Sequence, residues 1–329
     1  MQARTLAASA IAGRDRPKPS LWRQARANPW SYVYLAPMGV LLFAFIIYPS
    51  FASLGYTLYT WNGVGAPTAF VGLDNFRQVI ADPVFWQSFA HTFTYAGVLV
   101  PVQLTLALIL ALVLNNPRLR GRTFYRAVYF IPVVMAPAVI GAVVQILLTN
   151  FGENVNHLLL QAHLIQGHID WLGDPHFALS IVIAVGIWNT LGYNLIYFLA
   201  ALQSVPADLY EAAEIDGAGP VARFAYVTVP MLRAVGLVIL ILALLGSLQV
   251  FDLVQVLTQG GPFFATEVVN TYIYHQAFSP LNGVQPNVGF ASAASFFYGM
   301  VLLALTILQI GVGRYAARRR AAPDAAGGA

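Results

Sequence analysis

The chain has 329 residues, 58% of them hydrophobic and only 9% charged, where soluble domains carry about 25% charged residues. That composition excludes an ordinary water-soluble fold. The absence of cysteine excludes disulfides, thiolate metal sites and cysteine nucleophiles, and the single lysine, Lys18, stands in no glycine-rich phosphate-binding pattern.

Residues 1–28 carry Arg4, Arg14, Arg16, Lys18, Arg23 and Arg26 and predict a flexible cytoplasmic tail. Basic residues beside a first apolar run are the usual orientation signal, which is favoured over a nucleic-acid-binding arm. The run itself is too long for a signal-peptide core. No charge occurs from Ala27 to Leu73, and Tyr32 to Phe51 predicts a first span, at the ~20 residues a bilayer requires. Trp61 to Gln87 predicts an external loop or surface helix. Thr92 to Leu114 predicts a second span, followed by a connector with Arg118, Arg120, Arg122 and Arg126. Ala127 to Leu148 predicts a third span, kinked near its start by Pro132 and Pro137.

Asn150 to Pro175 predicts a loop free of Lys and Arg. It holds Glu153, Asp170, Asp174, His157, His163 and His168, and His176 follows, but the histidines have no zinc-binding spacing, so no metal is expected. Ala178 to Leu202 predicts a fourth span and Ala234 to Val256 a fifth. Thr258 to Asn287 predicts an external loop rich in Gly and Pro (Gly260, Gly261, Pro262, Pro280, Gly283 and Pro286) with one acid, Glu267. Gly289 to Ile310 predicts the sixth span, closed by Arg314, Arg318, Arg319 and Arg320. Sixteen of the seventeen basic residues lie in the two tails and the second and fourth connectors; only Arg77 lies elsewhere. The positive-inside rule therefore puts both termini in the cytoplasm. The expected fold is all-α: a polytopic membrane domain over 29–316, flanked by tails 1–28 and 317–329.

The fourth connector, 204–232, is the most distinctive stretch. It holds Asp208, Glu211, Glu214 and Asp216. Ser204 predicts a helix cap and Pro206 a first-turn residue. Leu209, Ala212 and Ala213 fall on one helix face. Gly217 to Pro220 predicts a break before a second helix that starts at Val221. It has no base–nucleophile pair, which argues against catalysis.

Glu211-Ala212-Ala213, three residues, Gly217, nine residues, then Val227-x-Val229-Pro230 resembles the EAA loop of permease subunits of binding-protein-dependent ABC importers. Val227 and Val229 replace the usual Ile and Leu. Leu202 to Pro206, Thr258 to Pro262 and Val71 to Phe76 resemble the carbohydrate-uptake, maltose-type branch. The resemblance implies a non-enzymatic inner-membrane permease with no cofactor of its own. It implies a second homologous permease, a dimer of ATP-binding subunits, an extracytoplasmic sugar-binding protein and a sugar substrate. By position, Glu211 would contact a basic group on the ATPase, and Ala212 and Ala213 would let the helix sit close. Gly217 would supply the turn, and Pro230 would set the direction of the next helix.

A sugar path needs hydrogen-bonding groups and aromatic faces within the membrane. The fourth span offers Trp188, Asn189, Tyr193, Asn194 and Tyr197, with Asn189, Tyr193 and Tyr197 on one face. The fifth offers Ser247, Gln249, Phe251 and Asp252. The resemblance singles out Tyr193 and Ser247 as sugar contacts, with Asn189 and Gln249 beside them. The alternative for these side chains is hydrogen bonding between helices. Asp252 reads either as an intramembrane ionisable site or as an acid near the external end of its span. An ion-driven carrier and a membrane anchor are the competing functional classes. The lack of paired intramembrane charges weighs against the carrier.

Overall fold

The computed structural model describes residues 29–67, 69–278 and 285–324. The basic tail 1–28 lies outside them, as do Pro280 and Gly283. Among the described residues, six helices are long and apolar enough to cross a membrane. The chain divides into two units, Met1–Gly55 and Tyr56–Ala329.

The first unit holds most of α1, which comprises Pro29–Leu42, a π-helical turn at Phe43–Ile47, and Tyr48–Tyr56. Its candidate span, Tyr32–Tyr56, outlasts the sequence estimate by about one turn. In the second unit a two-stranded antiparallel ribbon pairs β1 (Tyr59–Thr60) with β2 (Ala69–Phe70). A short amphipathic helix, α2 (Asp74–Ala81), follows. Strand β2 and α2 lie in the stretch expected to be an external loop or surface helix, and β1 just precedes it.

The second span is α3 (Pro83–Asn115). It starts earlier than predicted because Asp82 caps it, accepting the Val84 N–H at 2.7 Å, with Pro83 in the first turn. At its other end Arg126 donates to the Leu114 carbonyl at 2.8 Å, a cation on a helix C-terminus. The predicted third span is two helices, α4 (Arg122–Val134) and α5 (Pro137–Gln161). Met135 and Ala136 are extended, so the two prolines break the helix instead of kinking it. Helix α5 also runs through 150–161, read from sequence as loop. Contacts with the returning chain hold that overhang, among them His168 Nδ1 at 2.9 Å from the Glu153 carboxylate. Asn156 donates to the Ile169 carbonyl at 2.9 Å, and Trp171 lies against Gly152.

Helix α6 (Pro175–Gln203) is the hub, packed along α3, α4 and the helix after the connector. Gly186 admits Tyr95 of α3, and Gly192 admits the backbone of α4 at Tyr129. Asp174 caps α6, and the backbone N–H and ring of His176 hold its carboxyl below the ordinary range.

The connector forms α7 (Ala207–Ile215). Then α8 (220–248) runs through a π-helical turn at Phe224–Thr228. The predicted fifth span, Ala234 to Val256, falls within the candidate span Pro220–Leu257, but its helix is interrupted. The helix stops at Leu248, and α9 (Asp252–Leu257) starts afresh and packs on α5. The predicted external loop also contains a helix, α10 (Val269–Phe278), which packs on α11 (Val288–Asp324) and α3. The Tyr272 hydroxyl of α10 donates to Asp82, and burial together with that carboxylate holds the phenol protonated far above its usual range.

Candidate functional site

Two features of the second unit carry the candidate chemistry: a cavity at the interruption of α8 and the connector 204–230.

The cavity has a volume of about 390 Å³. Its walls come from α3, α6, the start of α5, and the stretch from Leu242 to Leu253. Asn189, Tyr193, Ser247 and Gln249 all line it. Asn189 is buried and donates to the Pro132 carbonyl at 2.9 Å. That carbonyl lies in the last turn of α4, where it also accepts the Met135 N–H at 3.3 Å. Tyr193 is half exposed, stands edge-on to Phe130, and reaches the Val133 carbonyl at 3.5 Å. Ser247 donates to the Leu244 carbonyl of its own helix at 2.8 Å. Gln249 follows the last residue of α8 and is exposed. Two of the four nominated groups thus also knit the helices together, as the interhelical alternative expects.

Sequence reasoning missed other wall residues. Gln103 of α3 meets Thr190 of α6 in a short hydrogen bond inside the wall. Tyr95 of α3 lines it too, and so do Asn194, Tyr197 and Phe251, which are among the path residues expected from sequence. The unwound turn 249–251 brings Phe251 and Asp252 into the wall. Asp252 therefore opens a separate short helix on the cavity wall. A helix read straight through to Val256 gives no sign of this.

In the connector, α7 ends in a Schellman arrangement. The Ala218 N–H bonds the Ala213 carbonyl at 2.9 Å, and the Gly217 N–H bonds that of Glu214 at 3.0 Å. Gly217 has φ +78°, with nothing within 4 Å of where a Cβ would stand. The backbone conformation, not lack of room, calls for glycine. Ser204 does not cap α7. Its hydroxyl turns back to the Ala201 carbonyl at the end of α6, and Pro206 precedes α7 without a side-chain cap. Glu214 and Arg223 pair across the break at 2.9 Å, and Tyr210 meets Thr228 at 3.0 Å. Glu211, Ala212 and Pro230 are exposed, and Ala213 is half-buried. Ile215, Val221 and Tyr226 are 87%, 80% and 82% exposed, so they add nothing to the chain's own core.

A family model described as "Binding-protein-dependent transport system inner membrane component" matches residues 103–321. The chain belongs to that family. The permease is 37% identical to the lactose transport system permease protein of Rhizobium radiobacter over 305 residues, covering 92% of this chain and 98% of that protein. It is 35% identical to the trehalose/maltose transport system permease protein of Thermococcus litoralis over 294 residues, covering 89% and 96%. A solved bacterial ABC transporter involved in import of the acidic polysaccharide alginate matches with a TM-score of 0.75 at 23% identity, covering 90% of this chain and 98% of that one. That likeness concerns the fold.

The permease also carries a buried polar cluster outside both features. Glu267 is 1% exposed, and its Oε1 meets His275 Nδ1 at 3.0 Å. His91 of α3 lies 3.1 Å from the Glu267 carbonyl. Among the described residues, no three His, Asp or Glu side chains stand close enough to hold a metal ion.

Proposed function

We propose that this permease forms half of the translocation path for a sugar or related polyol and that the connector 204–232 couples it to a separate ATP-hydrolysing subunit. The reading rests chiefly on one observation. Asn189, Tyr193, Ser247 and Gln249, chosen by residue type and family resemblance, come from α6, α8 and the turn after α8 and share one cavity wall. Hydroxyl- and amide-bearing side chains beside aromatic faces suit a polyhydroxylated ligand. The sugar-permease relatives support the same substrate class.

The connector supplies an exposed short helix with Glu211, Ala212 and Ala213, a turn at Gly217 and exposed apolar side chains. That is the make-up of a helix offered to a groove. Hydrolysis of ATP belongs to the partner that supplies the groove. Two ATPase subunits need two such helices, and one chain supplies one, so a second permease completes the membrane assembly. An extracytoplasmic binding protein delivers the sugar. The basic-residue bias puts both termini and the connector in the cytoplasm, with 29–316 as the membrane domain between tails 1–28 and 317–329.

The test is ATP-driven uptake by the purified complex in proteoliposomes. Tyr193→Ala removes an aromatic face and a hydroxyl and should lower sugar uptake roughly tenfold. Unchanged uptake would remove Tyr193 from the path. A reporter enzyme fused after Pro230 that worked only outside the cytoplasm would overturn the topology.

A further inference from the structure

The cavity wall is one-sided in charge. Among the described residues that line it there is no Lys, Arg or His, and the one ionisable carboxyl is Asp252. Other acids of the second unit are engaged: Asp82 caps α3 and accepts from Tyr272, Glu267 meets His275, and Glu214 meets Arg223. Asp252 is exposed to the cavity, and its side chain makes no hydrogen bond or ion pair among the described residues.

The neutral polar groups are partly spent inside the chain. Ser247 donates its hydroxyl hydrogen to the Leu244 carbonyl, and Thr190 has a single hydroxyl hydrogen to share between the Gly186 carbonyl and Gln103. The amide nitrogens of Asn189 and Asn194 donate to the Pro132 and Thr190 carbonyls. Acceptor oxygens remain facing the cavity beside the donors of Gln249 and Tyr197, and the Asp252 carboxylate is the one full charge among the described lining residues. Sugar hydroxyls donate to acceptors, and a bond to a carboxylate is the stronger kind. Phosphate and uronate groups are themselves acceptors and anions, so they meet repulsion. Low-dielectric walls focus the field of a charge inside a cleft.

We infer that this cavity selects neutral polyhydroxylated substrates over anionic ones and that Asp252 sets the selection. The inference rests on the cavity being the translocation path. Selection against anions would set this permease apart from an importer of an acidic polysaccharide that shares its fold.

The chain's lack of cysteine makes the field directly measurable. A single reporter thiol, Gln249→Cys, is introduced into the complex purified from its native membrane and reconstituted in proteoliposomes. Its reaction rates are compared for a cationic trimethylammonium-ethyl and an anionic sulfonatoethyl methanethiosulfonate. The comparison is repeated with Asp252→Asn in the same chain. Removing one unit charge from the same wall should lower the cation-to-anion rate ratio about tenfold, since the two reagents feel the charge with opposite sign. A fall of less than about threefold, at this reporter and at Tyr197→Cys on the facing wall, would overturn the inference. Tyr197→Cys also serves if the first reporter fails to assemble. The path reading fails separately: if ATP with vanadate leaves thiol accessibility unchanged, the cavity does not take part in transport, whatever its charge.

Discussion

The connector 204–230 and the segment 258–278 both join membrane helices through glycine turns and acidic residues, yet they are built in opposite ways. In the connector, Gly217 adopts φ +78° with open space around it, and Glu214 meets Arg223 at 70% side-chain exposure. In the second segment, Gly260 adopts φ +79° with Glu267 Oε2 occupying the place where a Cβ would stand. There Glu267 and His275 pair with 1% and 6% of their side chains exposed. Thr266 ties the turn further: its hydroxyl donates to the Gly261 carbonyl at 2.6 Å and lies 2.7 Å from the Thr258 hydroxyl. One segment is packed as part of the fold. The other keeps its polar and apolar groups outward, as a surface that a partner completes.

Substitutions should separate the two. The largest effect is expected at Gly260→Val, which meets a buried carboxylate in a backbone conformation that a β-branched residue avoids. The folded permease should be lost or its melting temperature in detergent should fall by more than about 10 °C. An equal fall for Gly217→Val would erase the distinction. Next comes His275→Ala, which strands the Glu267 carboxyl at a buried site and should cost about 3–5 kcal/mol. Denaturation in detergent measures it, and a loss below about 1 kcal/mol would show that Glu267 finds another partner. Gly217→Asp should cost only about 1–2 kcal/mol of stability, the penalty of a left-handed residue with room for its side chain. Uptake by its reconstituted complex should nevertheless fall at least about tenfold; normal uptake would count against a coupling role. The smallest effect is expected for Glu214→Ala, whose exposed pair is worth about 0.2–1 kcal/mol.

The same contrast governs what the sequence could reveal. The six spans were legible because about twenty uncharged residues in a row have few uses outside a bilayer. The glycine turn of the connector was legible because glycine is the residue that takes φ +78° without strain. Helix interruptions were not. Pro132 and Pro137 mark a disturbance, but a kink and a break give the same local sequence, and the break is held by Asn189, 57 residues from Pro132. The overhang of α5 was read as loop because Asn150, Glu153 and Asn156 are polar, yet Asn156 and Gly152 bind it to the returning chain. Glu267 read as a loop acid because its partners His275 and His91 come from other elements, one of them 176 residues away. The four cavity residues could be nominated by type. Their shared wall depends on the unwound turn 249–251, which no local signal marks.

The most direct measurement is affinity purification of the permease from its native membrane in mild detergent, wild type beside Glu211→Lys, with identification of every chain that accompanies it. A coupling connector predicts that the wild type brings an ATPase and a second permease. Glu211→Lys should keep the second permease, which meets other surfaces, and lose most of the ATPase. Full retention of the ATPase by Glu211→Lys, with sugar uptake unchanged, would contradict the docking role given to the connector.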